Sequence, residues 1–216
     1  MTTATDSRFA DVATASDGKL LAIALPPPRA EFGGSLAQAL RTRCSVREYE
    51  TRPLSLLAVA ELLWCGFGVN RPASGARTAP SWRGAIETEV FLATAQGVWR
   101  YDAPAHRLLP HLPRDIRAET GQQEFVGLAP VELIYVASDE RLQAAAAGDA
   151  ISAAKKQSVA STDAGFIGQN VALYCASVGL ASVFRGSVDA AKVGRLLGLP
   201  AAQFITFAQT VGYPKA

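Results

Sequence analysis

Histidine, cysteine and long apolar runs are scarce in this chain, and each scarcity removes a class of function. The two histidines, His106 and His111, sit between Pro104 and Pro113 in a turn-rich stretch, where a surface position is expected and a metal site is not. Three cysteines, Cys44, Cys65 and Cys175, lie far apart with no C-x-x-C, which excludes a disulfide framework and zinc or dithiol chemistry. Cys65 and Cys175 read as small buried hydrophobes. No apolar run is long enough to span a bilayer, and the first 18 residues lack the apolar stretch of a secretory signal, so a cytoplasmic protein is expected. A net charge of +2 leaves no basic surplus for nucleic acid. There is no G-x-G-x-x-G followed by an acid; Gly33-Gly34 and Gly66-x-Gly68 punctuate helices instead.

What remains is a globular composition, 49% hydrophobic and 19% charged over 216 residues, enough for one ordinary domain. Residues 1–18 are expected to be loosely ordered and 19–216 to form a single domain. Leu20 to Leu25 reads as an extended arm stopped by three prolines. Ser35 with Gln38 makes a capping-box pattern before a short helix. Ser55 caps a second helix, with Leu56, Val59, Ala60 and Leu63 at helical spacing. A Pro/Gly/Ser-rich loop runs from Asn70 to Gly84. Strands follow at Val90–Thr94, Val98–Tyr101 and Leu108–Leu109, and a cleaner one spans Pro130 to Ala137. An alanine-rich helix is expected over about 141–156, then a helix capped by Asp163 and stopped by Gly179. Asp189 caps a short helix, and a last strand runs from Phe204 to Val211. Strands and helices fall in blocks, which argues for an α+β fold over alternating βαβ units.

The chemistry concentrates at Arg41, Arg43, Ser45 and Arg47. Three arginines and a hydroxyl leaving a helix can surround a phosphate with charge-assisted hydrogen bonds. A solvated basic helix end, favoured by the helix dipole, is the competing account.

Arg43-Cys44-Ser45-Val46-Arg47 resembles the R-x-S-x-R signature of nitroreductase-like flavoproteins. The resemblance continues through Leu62-Leu63-Trp64-Cys65-Gly66-Phe67-Gly68-Val69-Asn70 and Arg77-Thr78-Ala79-Pro80-Ser81. It extends over Asp163-Ala164-Gly165 with Gln169-Asn170, Ser177-Val178-Gly179-Leu180 and the closing Gly212-Tyr213-Pro214. Together these pieces cover about residues 35 to 214, and the nearest branch resembles the SagB/ThcOx-type dehydrogenases.

The resemblance implies a mostly antiparallel central sheet flanked by helices, in an intertwined homodimer with FMN at the interface. Arg43, Ser45 and Arg47, with the Cys44 backbone, would hold the FMN phosphate and ribityl chain. Pro80, Ser81, Arg83 and Gly84 would approach the ring from the partner subunit. Val183, Phe184, Arg185 and Gly186 would line it, with the Arg185 and Gly186 N–H groups directed at N5 and O4. Trp82 and Phe125 are the aromatics expected near substrate, Phe125 lying in a short gating segment from Arg114 to Gly127. Trp99, in a strand, is expected in the core.

It further implies hydride transfer from NAD(P)H through the flavin to a small nitroaromatic, quinone or enone acceptor, with no obligatory acid–base residue. Two alternatives remain: a dehydrogenase tailoring a peptide or small metabolite, and a non-catalytic protein that stores or hands on FMN. The Lys-Tyr pair of azoline oxidases is missing, because 154–161 reads Ala-Lys-Lys-Gln-Ser-Val-Ala-Ser; Lys155 and Lys156 read as solvated charges. The basic tail that many relatives carry has only Lys215 as a possible substitute.

Overall fold

The computed structural model describes residues 7–215. Its first elements are α1 (Phe9–Val12), β1 (Ile23–Ala24), α2 (Leu36–Thr42) and α3 (Leu56–Phe67). The loose N-terminus expected over 1–18 falls partly on residues 1–6, which lie outside the described residues. From Ser7 the chain is docked: Phe9 is buried edge-on against Trp99, ring centroids 5.2 Å apart. Helices α2 and α3 start at their hydroxyl caps, Ser35 accepting from the Gln38 amide and Ser55 from the Ala58 amide.

The stretch expected as a plain loop contains a hairpin, β2 (Val69–Arg71) and β3 (Ala76–Arg77), and a 3-10 turn at Trp82–Gly84. Strands of two and three residues are too short to display an alternating pattern, and Gly75 at φ +69° supplies the reversal. The meander then follows as β4 (Thr88–Thr94), β5 (Gly97–Asp102) and β6 (Arg107–Leu112). A 3-10 turn at Arg117–Thr120 and the short α4 (Glu124–Leu128) lead into β7 (Val131–Ser138).

Two helix expectations need correction. The alanine-rich stretch divides into α5 (Asp139–Ala145) and the start of α6 (Ala153–Val178), because Ala147 (φ +55°) and Gly148 (φ +95°) leave helical backbone between them. Helix α6 is capped by Ser152, which accepts from the Lys155 amide. Asp163 lies in mid-helix, its carboxylate accepting the Trp82 amide at 2.6 Å, a tertiary role in place of the expected cap. Lys156 is not simply solvated either, since its ammonium ties α6 to Asp139 of α5 at 2.8 Å. Helix α6 does stop at Gly179, in the left-handed conformation at φ +76°. Next come β8 (Ala181–Arg185), a strand absent from the sequence reading, then α7 (Ala190–Leu196) and β9 (Gln203–Gly212).

One seven-stranded sheet results, ordered β1-β6-β5-β4-β7-β9-β8, with every pairing antiparallel. The fold is α+β, a central antiparallel sheet with helices on both faces. Strand β7 is buried along its whole length. By the period of two, Val131, Leu133 and Tyr135 join the core under α3 and α6, while Ile134 and Val136 join the one under α7. Trp99 is fully buried, as expected, its indole N–H donating to the Leu21 carbonyl.

His106 is half-buried, against the surface expectation, whereas His111 is exposed as expected. His106 Nε2 donates to the Pro26 carbonyl, so Nδ1 accepts from the Tyr101 hydroxyl at 2.8 Å. Burial pushes its pKa down. His111 Nε2 donates to the Leu197 carbonyl. Among the described residues no cluster suits a metal ion, and no helix is long and apolar enough to cross a membrane.

Candidate functional site

Helix α2 closes with the Arg43 amide bonded to the Ala39 carbonyl, and the chain then runs extended. Ser45 bridges Ser182 of β8 in parallel, with the Val46 amide donating to the Ser182 carbonyl at 3.1 Å. Further on, Tyr49 bridges Pro214, and the Lys215 amide donates to the Glu48 carbonyl. Side chains alternate along extended backbone, so Arg43, Ser45 and Arg47 share one side of the segment. Val46 turns the other way, into a cluster with Tyr49, Ala181, Val183 and Phe125. Ser45, Cys44 and Arg47 are exposed. None of Arg43, Arg47 and Lys215 has an ion-pair partner among the described residues.

Arg47 and Lys215 also line one cleft of about 260 Å³ with Phe125 and Leu128 of α4. The Phe125 ring lies 5.8 Å from that of Tyr49. The structure therefore brings the basic segment, Lys215 and Phe125 of α4 together at the β8 edge.

At the far end of that strand, the Phe184 ring sits 5.8 Å from Tyr135 and 4.6 Å from Phe207, against Gly168 of α6. Arg185 sends its side chain into the core. Its Nε donates to Thr210 Oγ1, Nη1 to the Thr120 carbonyl and Nη2 to Glu132 Oε2, and the pair is almost fully buried. Burial raises the Glu132 carboxyl to about 7 against the pull of Arg185. In an antiparallel ladder main-chain groups alternate between the two edges. Ser182 faces the basic segment, so the in-register run turns Arg185 toward Ala208 of β9 and Phe184 outward. Gly186, just past the strand, is exposed.

The group from Pro80 to Gly84 lies elsewhere. Ser81 Oγ donates to Glu87 and accepts from the Ile86 amide, while Trp82 packs with Leu142, Val159 and Ala160. Arg83 (φ +49°) donates to the Ala146 carbonyl, and Gly84 follows at φ +70°. This group meets α6 at Asp163, whereas the run into α2 meets it at Ser177 through the Gly34 amide. Those points are about 21 Å apart along the helix, at about 1.5 Å per residue. No hydrogen bond or ion pair among the described residues joins 80–84 to 43–47 or 183–186.

Residues whose structural roles the sequence did not reveal hold these parts in place. Glu132 anchors Arg185, and its signal was a lone acid inside the apolar run Val131-Glu132-Leu133. Asp163 and the fully buried Glu87 fix the turn at Ser81 and Trp82. Burial pushes the Asp163 carboxyl up to about 6, and neighbouring Glu87 adds to that.

The sequence pattern of the nitroreductase family matches residues 40–213. A provisionally named nitroreductase of Methanocaldococcus jannaschii is 28% identical over 70% of this chain and 78% of its own. A crystal structure of a provisionally named nitroreductase from Ralstonia eutropha is 34% identical, covers 94% of both chains and superposes with a TM-score of 0.85. The NADPH:FMN oxidoreductase from Vibrio harveyi, solved with NAD+, shares the fold at a TM-score of 0.62, with 19% identity over 84% of this chain and 69% of that one. The chain belongs to the nitroreductase family of oxidoreductases.

Proposed function

We propose that this protein is an FMN-dependent oxidoreductase that passes electrons from NAD(P)H to a small nitroaromatic, quinone or enone acceptor. The observation that carries the reading is the extended segment 43–47, laid along the open edge of β8 by the Val46–Ser182 bond with Arg43, Ser45 and Arg47 on one side. Two cations without ion-pair partners among the described residues and a hydroxyl at that spacing suit a phosphate monoester. Lys215 can add a third cation from across the cleft.

Bound FMN supplies acceptance and donation of a hydride. The protein's part is orientation. Val183 and Phe184 wall the ring side, and the Gly186 N–H, free of the sheet, is the better placed of the two expected donors to the flavin. Arg185 fixes the strand end through its buried pair with Glu132. Phe125 and Leu128 border the approach for substrate.

The site is completed in a homodimer, where Pro80, Ser81, Trp82, Arg83 and Gly84 come from the second subunit. Exposed Leu36 and Leu40 of α2 and Phe166 of α6 support an apolar contact between copies. A cytoplasmic location fits this chemistry. The named activity of the Vibrio harveyi protein favours a nicotinamide donor.

An anaerobic visible spectrum of the purified protein, before and after NADPH, tests the proposal. Flavin bands that bleach, and return when a quinone is added, are expected. Flavin that stays oxidised with both NADH and NADPH would overturn the donor, and a colourless protein unable to take up FMN would overturn the whole reading.

A further inference from the structure

A cavity of about 240 Å³ opens among the end of α3, β4, β5 and α5, sharing no residue with 43–47, 80–84 or 183–186. Its lining combines apolar Phe67, Ile86 and Val90 with three arginines, Arg77, Arg100 and Arg141. Two of these are committed. Arg100 and Arg141 both donate to Glu89 Oε1, at 3.2 and 3.4 Å, and Arg141 also reaches the Ile86 carbonyl. The cavity's other acid, Asp102, is held by Arg107 at 2.8 Å.

Arg77 is left over. Its Nε and Nη1 are buried and lack any hydrogen-bond partner among the described residues. The guanidinium stands 5.3 Å from the centre of the Phe67 ring. Burial, the largest influence, pulls its pKa down, and the nearby charge of Arg141 adds to that against Tyr101 and Asp102. Folded proteins pair their buried donors, so a guanidinium with no acceptor among the described residues, beside a cavity, points to an anion that can reach its accessible edge. Asp102 is answered by Arg107 and Glu89 is shared by Arg100 and Arg141, so the unbalanced charge around the cavity is positive.

We propose that this cavity binds a small organic carboxylate. The carboxylate is received by the fork of Arg77 beside Arg141, and its apolar body lies along Phe67 and Val90. An anion answers that positive surplus, and one edge of a guanidinium can give a carboxylate two parallel hydrogen bonds. The apolar part of the lining favours an organic ligand over a bare ion.

Calorimetric titration of the full-length protein with 4-bromobenzoate, 4-bromobenzyl alcohol and inorganic phosphate is the test. The benzoate should bind, with the alcohol and phosphate at least tenfold weaker. Arg77→Met should weaken the benzoate at least tenfold, with Arg77→Lys in between. Phosphate binding as tightly as the benzoate would overturn the organic carboxylate. A loss in Arg47→Ala as large as in Arg77→Met would place the ligand at the basic segment and overturn the site. Absence of binding overturns it outright. Should Arg77→Met fail to fold, crystals of the unaltered protein soaked in 4-bromobenzoate decide the matter. A bromine anomalous peak beside Phe67 supports the proposal, and its absence there refutes it.

Discussion

Cations in this chain are of two kinds, committed and open, and the difference decides what each substitution does. Arg185 is committed, with three nitrogens bonded from a side chain that is only 3% exposed. Arg185→Met leaves Glu132 buried without its cation, a change that costs about 3–5 kcal/mol in buried pairs. Adding Glu132→Gln should recover most of that loss, read from urea midpoints. A double variant no more stable than the single one would mean the pair is not what matters. Arg43 and Arg47 are open. Changing either to Ala should weaken FMN roughly ten- to hundredfold, the range of a charge-assisted hydrogen bond, and leave riboflavin almost unaffected. Equal losses for both ligands, measured by fluorescence titration, would remove the phosphate contact.

Helix α6 combines what a sequence displays with what it hides. Ile167, Val171 and Tyr174 announced its buried stripe, and Gly179 its end. Its first turns were hidden because Ala, Lys and Ser make no apolar stripe there, and Asp163 looked like a cap. That carboxylate bonds to Trp82, a partner that sequence spacing does not reveal. Its environment has a measurable effect on pH dependence. Asp163 is raised to about 6, so between roughly pH 4 and 6 the folded chain holds a proton the unfolded chain has released. The contribution to stability is therefore complete below about pH 4 and is lost as the pH rises through 6. Asp163→Asn keeps an acceptor for Trp82 without the charge, and should flatten that decline in thermal melts taken from pH 4 to 8. An unchanged slope would place the titration elsewhere. Strand β8 escaped notice for a related reason. Ala181 to Arg185 is buried on both sides apart from Phe184, so no alternation marks it. The 43–47 segment stood out through its clustered arginines and its resemblance to R-x-S-x-R, while the Glu132 anchor depends on neighbours far away in sequence.

At the scale of the molecule, the separation of the 80–84 turn from the 43–47 segment is the strongest argument for two copies. Leu36, Leu40 and Phe166, at 66%, 57% and 45% exposure, are large apolar side chains left facing outward. Leu40→Glu with Phe166→Glu should yield a monomer in sedimentation equilibrium, and that monomer should lose FMN. A monomer that keeps its flavin would return the whole site to one chain. Sheet order adds a consequence for biosynthesis. Strand β9 comes after every other strand in the chain, yet it lies between β7 and β8. A ribosome must therefore deliver residues 203–212 before either neighbour gains its partner on that side. Until then the nascent chain carries unpaired edges on β7 and β8, which chaperones can hold or proteases can attack. On the proposed reading, flavin capture at β8 would then be a late event in the life of each polypeptide, and a chain stalled before β9 would keep those edges open.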